Sequence, residues 1–137
     1  MSNKLEDGWK LFNKLHGAHT GEALINTLQD ISPDYVDMIA GFAFGEIFSR
    51  KGLDLKSREL QSVALCAAFG DMPDQVAVHL EGALKCGATK TECIETILQV
   101  LLYAGFARVT NALIIAKKVL NESTIEESEN MLVEHAN

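Results

Sequence analysis

Helix start and stop signals recur along the whole chain, and they constrain its fold more than any other feature of the sequence. Ser32 followed by Pro33 is a strong start signal, because Ser accepts hydrogen bonds from free backbone N–H groups and Pro fits the first helical position. Thr89 and Glu92 have the spacing of a capping box. Period-two alternation, the pattern of a half-buried strand, is hard to find. We therefore predict an all-α fold of six to eight helices joined by short connections.

The predicted helices lie between these signals and carry apolar stripes that face a core. Cap residues included, they span 3–16, 20–28, 35–49, 54–69, 71–87, 89–103 and 107–120. The acidic tail, 123–137, either forms a last helix packed on a partner subunit or frays. The length of 137 residues is typical of one domain, and no linker or repeat interrupts it. We expect a single compact helical bundle over 1–137.

Composition and charge argue against several functional classes. Apolar residues make up 47% of the chain and charged residues 23%, as in ordinary globular proteins. The net charge of −7 and the lack of any Lys/Arg run argue against nucleic-acid binding, which needs a clustered positive field. No apolar stretch approaches the ~20 residues of a membrane span, and the N-terminus lacks a hydrophobic signal region. We expect a cytoplasmic protein with no nucleic-acid or membrane partner.

Glu59 and His79 are the candidate catalytic residues. Glu59 shares a helix face with Val63 and Cys66, so we expect it near the rim of the buried surface. Desolvation raises the pKa of a buried carboxylate, which suits a general acid or base. An early helix position also suits a carboxylate that only complements the helix dipole. His79 lies beside an apolar stripe, where it is either a packed structural histidine or a group for proton transfer. Because each would be costly to bury unpaired, we expect the two side chains within hydrogen-bond distance of each other or of one shared water.

The remaining candidates follow less directly from their positions. Tyr103 ends an apolar run, where it either anchors the packing or contacts a substrate, and Arg108 either meets an anionic substrate or is a surface cation. The three cysteines, at positions 66, 86 and 93, lack CxxC spacing and fit neither a disulfide framework nor a zinc site. We expect reduced thiols, with Cys66 and Cys86 the candidate pair for a redox role, and no metal site.

Several segments together resemble the carboxymuconolactone decarboxylase family, which is related to the alkylhydroperoxidase D-like proteins. They are FGEIFSRKGLDLKSRE (44–59), HLEGAL from His79, CGATKTE (86–92) and YAGF (103–106). The resemblance covers about residues 33–120. It implies an all-helical fold that assembles as homotrimers or homohexamers, with sites near subunit contacts.

The resemblance implies one of two chemistries. The alkylhydroperoxidase D-like branch uses a CxxC pair shortly before a histidine, with an upstream glutamate. Glu59 and His79 match the glutamate and the histidine, but Met72 and Gln75 stand where the two cysteines would fall. A thiol-dependent peroxide reduction is therefore disfavoured, and it remains the alternative beside a non-catalytic member of the fold. The decarboxylase branch needs neither thiols nor a cofactor, and implies loss of CO2 from a small carboxylated lactone such as 4-carboxymuconolactone, or from a related acid.

Overall fold

The predicted all-α fold is confirmed. A computed structural model describes residues 3–136, with side-chain surroundings given through residue 122, and every regular element in that range is helical. Contacts between Cα atoms divide the chain into two compact units, 1–58 and 59–137. The expected single domain remains a prediction, and each unit is described separately below.

The first unit consists of three α-helices and a π-helical segment. They are α1 (Lys4–His16), α2 (Ala18–Leu28), α3 (Pro33–Met38) and the π segment (Ile39–Ile47). Asn3 caps α1, because its side chain accepts hydrogen bonds from the backbone N–H groups of Leu5 and Glu6. Ser32 precedes α3 as predicted but makes no side-chain cap hydrogen bond, so Pro33 alone provides the start signal there.

Two glycines let α1 and the π segment approach at backbone distance. A Cβ on Gly8 would overlap the carbonyl oxygen of Ala40, and a Cβ on Gly45 would overlap the carbonyl oxygen of Lys4. Any side chain at either position would therefore force the two helical backbones apart.

Aromatic rings fill the core of the first unit. The Phe12 ring contacts the Phe44 ring edge to face at a centroid distance of 4.8 Å. The His16 ring also contacts both of these rings edge to face. His16 is 4% exposed, so it is a packed core residue. Trp9 extends the cluster and donates from Nε1 to an Asp37 carboxylate oxygen at 3.2 Å.

The helices after residue 54 are joined by turns of three or four residues, or by a single residue. They are α4 (Leu55–Phe69), which continues from the first unit into the second, α5 (Pro73–Lys85), α6 (Lys90–Gln99), α7 (Leu101–Ala104) and α8 (Phe106–Ala136). Asp54 caps α4 as predicted, accepting from the Ser57 N–H at 2.7 Å. The capping box of Thr89 and Glu92 on α6 is also confirmed, with both hydrogen bonds present at 3.0 Å.

Small aliphatic side chains from four helices form the core of the second unit. It includes Val63 on α4, Leu80 on α5, Ile97 on α6 and Ala112 on α8, each at most 2% exposed. This core holds the segments that carry the candidate site residues.

Four details of the predicted helices were wrong. The helix expected over 35–49 becomes π-helical from Ile39, and Met72, not Asp71, occupies the N-cap of α5. The helix expected over 89–103 is interrupted at Val100, so that α6 and α7 are separate. The helix expected to end at 120 continues as α8 to Ala136. The packing of the tail side chains lies outside the described residues.

Within the part that is described, no helix is long and apolar enough to cross a bilayer.

Candidate active site

The two candidate catalytic residues are in direct contact. Nδ1 of His79 lies 2.9 Å from a carboxylate oxygen of Glu59, within hydrogen-bond distance. Glu59 is on α4 and His79 is on α5, twenty residues later, and the turn between Phe69 and Pro73 brings the two helices together. The contact expected from the sequence is therefore present.

Glu59 is buried more completely than its sequence position suggested. The side chain is 0% exposed, whereas the sequence predicted a place at the rim of the buried face. The reason is that Glu59, at spacings of four and eight residues, lies on the same helix face as Val63 and Ala67, which are 0% and 3% exposed. Burial of a carboxylate without compensation is costly, so the contact with His79 stabilises the Glu59 side chain at this position.

His79 is the partly exposed member of the pair. Its neighbours one turn away, Val76 and Ala83, belong to the core, and its side chain remains 19% exposed. When Glu59 is ionised it can only accept hydrogen bonds, so Nδ1 of His79 then donates to it. Nε2 lies on the opposite edge of the imidazole ring.

A cavity of about 190 Å³ lies between α4, α5 and α8. Its polar lining consists of Cys66, Arg108 and Asn111, and the rest is apolar: Ala67, Gly70, Met72, Pro73, Val76, Ala112 and Ile115. The cavity adjoins the helices that carry the Glu59–His79 pair, since Cys66 follows Glu59 by two turns and Val76 precedes His79 by one. The volume is below that of drug-sized ligand sites and suits a small molecule.

The Arg108 side chain packs against Gly70 at the turn that ends α4. A Cβ on Gly70 would lie 2.7 Å from Nε of Arg108, and Gly70 has a φ of +89°, which favours glycine. Within residues 3–122, Arg108 forms no ion pair or hydrogen bond through its guanidinium. Arg108 therefore gives the cavity a positively charged wall.

Cys66 lines this cavity as a protonated thiol. Burial raises the pKa of the Cys66 thiol, and the nearby Glu59 carboxylate raises it further. Burial likewise raises the pKa of the Cys93 thiol, with a smaller contribution from Glu92. Since the thiolate is the reactive form, these environments disfavour nucleophilic or redox chemistry.

The other half of the candidate redox pair is at the far end of α5. Cys86 follows Val76, a neighbour of Cys66 in the cavity lining, by ten residues, which is ~15 Å along a helix. All three cysteines are free thiols. A disulfide between Cys66 and Cys86 requires Cα atoms within ~7 Å, so the fold counts against it.

Tyr103 is separate from the pair and from the cavity. Its side chain is 90% exposed at the end of α7, so it does not anchor the packing of the described residues.

Asn111, which lines the cavity, was not predicted from the sequence. Its position one turn after Arg108 on α8 was a usable signal, because residues three apart lie on one helix face.

Comparison with known proteins places these residues in a described family. The model of the carboxymuconolactone decarboxylase family matches residues 33–118, a range that includes Glu59, His79 and Arg108. The chain is 36% identical over 104 residues to the 4-carboxymuconolactone decarboxylase of Acinetobacter baylyi, covering 76% of each chain.

Two further relatives extend the comparison. The nitrosuccinic acid decarboxylase npaB of Metarhizium robertsii is 25% identical over 117 residues, which are 85% of this chain and 81% of that protein. An uncharacterised 15.0 kDa protein of Paracoccus denitrificans is 37% identical over 84 residues, which are 61% of this chain and 63% of that protein. Two of these relatives are thus described as decarboxylases.

Proposed function

The chain belongs to the carboxymuconolactone decarboxylase family, and we propose that it removes CO2 from a small carboxylated lactone or a related small acid. The observation that carries the proposal is the Glu59–His79 contact of 2.9 Å between α4 and α5, two helices that also line a small cavity with a cationic wall. Relatives described as decarboxylases of 4-carboxymuconolactone and of nitrosuccinic acid support a decarboxylase-type function.

The proposed reaction sets two physical requirements. The bond between the carboxylate carbon and its neighbour breaks, CO2 leaves, and the electron pair stays on the substrate as a delocalised dienolate. That anion needs hydrogen-bond donors while it forms, and its carbon then needs a proton. The first requirement favours a desolvated site with fixed dipoles, and the second favours a group whose pKa lies near the working pH.

His79 is the proposed proton donor, and Glu59 is its positioning partner. Nε2–H of a protonated His79 would stabilise the dienolate and then transfer its proton to the carbon. Glu59 would accept from Nδ1–H, orient the ring and stabilise the imidazolium, as a buried carboxylate does for a catalytic histidine elsewhere. The pair returns to its starting state when it takes up one proton from solvent, so the reaction needs no cofactor.

Arg108 is the proposed anchor for a substrate carboxylate. Its guanidinium lines the cavity, and a planar fork of donors suits a carboxylate. Asn111, on the same face of α8, would donate to or accept from a second polar group of the substrate. Tyr103 remains a proposed substrate contact; its exposed ring would have to meet a substrate, or a second copy of the chain, at the surface of the described residues.

We also propose that the chain is a homotrimer or homohexamer. The exposed apolar side chains of the second unit support this, since Phe69, Leu102, Tyr103 and Phe106 are each at least 66% exposed. Large apolar side chains left this exposed are frequent at interfaces, and covering them would stabilise the assembly. Sedimentation velocity at micromolar concentration should give the mass of a trimer or hexamer, and a monomer would contradict the proposal.

Turnover of 4-carboxymuconolactone, followed by the loss of its ultraviolet absorbance, tests the proposed function. Nitrosuccinate is the second substrate to try. Arg108→Gln should raise KM by ~10-fold with a smaller change in kcat, because the anchor stabilises the ground state and the transition state alike. Lys118→Gln removes a cation of α8 that lies outside the cavity lining, and serves as its control. A folded oligomer with no activity toward either acid would overturn the proposal.

A further inference from the structure

The first unit leaves a row of large apolar side chains exposed along α3 and the π segment. We call it the exposed row, and it consists of Ile31, Tyr35, Met38 and Phe42. Each side chain is between 49% and 76% exposed, and their helical spacing of three or four residues places them along one side of this segment. None of them belongs to the proposed catalytic pair or to the lining of the active-site cavity. The proposed function therefore gives the exposed row no role.

The opposite side of the same segment is buried. Val36, Ala40 and Phe44 are each at most 5% exposed, and Phe44 belongs to the aromatic core of the first unit. The segment is thus apolar on two sides and covered on one of them. A helix that is apolar all round is ordinarily buried on every side, so the exposed row indicates a contact with another molecule.

The charge beside the exposed row is negative. Between residues 15 and 49 the chain has five acidic residues and no Lys or Arg. Three of the five, Asp30, Asp34 and Asp37, each stand one position before a residue of the exposed row, and all three residues are exposed. Because they have the same helical spacing as the apolar side chains, they form an acidic row beside the exposed row.

This charge decides between several occupants of the exposed row. A second copy in a two-fold contact would bring the same acidic row against this one, and like charges that face each other are unfavourable. The segment after Lys118 has five acidic residues and no Lys or Arg, so its charge does not complement the acidic row either. An anionic lipid surface attracts Lys and Arg side chains, which this stretch of the chain lacks. The complementary occupant is a cationic segment of a different protein.

We propose that the exposed row binds a cationic amphipathic helix of another protein, whose Lys or Arg side chains lie against Asp30, Asp34 and Asp37. An amphipathic helix carries its apolar residues at spacings of three and four, which match those of the exposed row. The part of the row from Tyr35 to Phe42 covers ~10 Å, which is about two turns of such a helix. Tyr, Met and Phe are also enriched at the cores of protein interfaces. This proposal does not depend on the proposed function.

A fluorescein-labelled peptide of ~14 residues, about four helical turns, is the probe. It has Leu at helical spacings of three and four and Lys at the flanking positions. Fluorescence anisotropy at physiological ionic strength measures its affinity for the full chain, and we expect saturable binding with a shift of the Met38 methyl signal in NMR spectra. The same peptide with Glu in place of Lys should bind at least ~10-fold more weakly, because its charges repel the acidic row.

Two pairs of aspartates provide a matched test of the charge. The Asp30→Asn/Asp34→Asn variant should weaken binding of the lysine peptide by ~10-fold, because it removes two exposed ion pairs worth about threefold each. The Asp71→Asn/Asp74→Asn variant makes the same change of net charge, and Asp34 and Asp74 each follow the proline that starts their helix. All four aspartates are exposed, and peptide binding to this control should change less than ~2-fold.

Two isoleucines test the apolar contact in the same way. Ile31→Ser should weaken peptide binding by ~10-fold, because it removes about half of the burial free energy of a large aliphatic side chain. Ile114→Ser changes an isoleucine of α8 that is also mostly exposed, at 65% against 76% for Ile31. Peptide binding to that control should change less than ~2-fold, because the two sites are independent. Since both side chains are exposed, both variants should fold.

Four results would overturn the proposal. The first is no saturable binding of the lysine peptide. The second is equal weakening by the two aspartate variants or by the two isoleucine variants, which would indicate only a general effect of surface charge or surface apolarity. The third is a lower sedimentation mass for Ile31→Ser than for the unsubstituted chain, which would show that a second copy covers the exposed row. The fourth is binding to phosphatidylserine vesicles that Ile31→Ser abolishes and Ile114→Ser does not, which would assign the row to a lipid surface.

Discussion

The two units of this chain use different means of packing. In the first, α1 and the π segment approach through Gly8 and Gly45 at backbone distance, and aromatic rings fill the interior. In the second, small aliphatic side chains form the core, and the Glu59–His79 pair lies among them. The first unit thus depends on the absence of side chains at two positions, whereas the second places a carboxylate where an apolar residue would ordinarily pack.

This difference indicates where stability and activity should be separable. Substitutions in the first unit are expected to change folding free energy, because its tightest contacts involve backbone atoms that cannot rotate away. Substitutions of the pair in the second unit are expected to change rate most, because the two side chains are arranged for proton transfer.

The largest expected effect is on catalysis. His79→Asn should lower kcat by ~10³-fold for whichever acid is turned over, because an amide keeps a donor near Glu59 but cannot transfer a proton. Glu59→Gln should lower it less, since the imidazole remains. Steady-state kinetics measures both. His19→Ala and Glu81→Gln, which change exposed residues of the same types, are the controls. Unchanged kcat in a folded His79→Asn variant would remove His79 from the mechanism.

The next effect is on stability in the first unit. Gly8→Ala should lower the free energy of unfolding by about 3 kcal/mol, because the new methyl group overlaps the backbone of the π segment. Gly41→Ala is the matched control, since a Cβ there would meet Leu5 Cδ1 at an ordinary 3.8 Å. That variant should be neutral or more stable, by up to ~1 kcal/mol. Urea denaturation measures both. Equal destabilisation would mean that backbone approach is not the cause.

A smaller effect separates two helix start signals. Thr89→Ala should cost about 1 kcal/mol of stability, because it removes one hydrogen bond of the capping box on α6. Ser32→Ala should stay within ~0.5 kcal/mol, since the Ser32 side chain makes no cap hydrogen bond. Thermal and urea unfolding give both values. A larger loss for Ser32→Ala would show that the start of α3 depends on that hydroxyl after all.

The smallest effect concerns alkaline pH. The pKa of the Cys66 and Cys93 thiols is raised in the folded protein, whereas thiols of the unfolded chain have an ordinary pKa of 9.0. At alkaline pH the folded protein therefore keeps thiol protons that the unfolded chain has already released. The unfolded state then binds fewer protons, so stability falls as the pH rises above about 9 and is unaffected below it. A Cys66→Ala/Cys93→Ala variant should show a shallower decline in urea unfolding between about pH 8 and pH 10.5. Identical slopes would contradict the assignment.

Thiol titration distinguishes this interpretation from the redox alternative. Both thiols should react slowly in the native protein and quickly in denaturant. Peroxide should produce no reversible disulfide between Cys66 and Cys86. A disulfide formed at a rate proportional to peroxide concentration would favour the dithiol chemistry over decarboxylation.

Local signals explain what could be predicted from the sequence. The capping box of Thr89 and Glu92 depends only on residues three apart, and so it was predictable. The Glu59–His79 contact followed from two helix stripes and a resemblance that covered both positions. The role of either residue in catalysis remains a proposal.

The features that could not be predicted depend on long-range packing or on small differences in hydrogen bonding. A π-helix differs from an α-helix in forming i→i+5 hydrogen bonds, and no residue type in this segment specifies that choice, so the change at Ile39 left no clear signal. The full burial of Glu59 and the cavity with Arg108 and Asn111 depend on which faces α4, α5 and α8 turn toward each other. Nothing in the helix signals specified those rotations.

The position of the Arg108 guanidinium in the cavity wall has a consequence for the choice of assay buffer. If this side chain anchors a substrate carboxylate, then phosphate and sulfate compete for the same donors and raise the apparent KM. Chloride at physiological ionic strength, where the screening length is ~8 Å, weakens the attraction of the substrate before contact. Zwitterionic buffers of low ionic strength are therefore the conditions in which a weak activity would first become measurable.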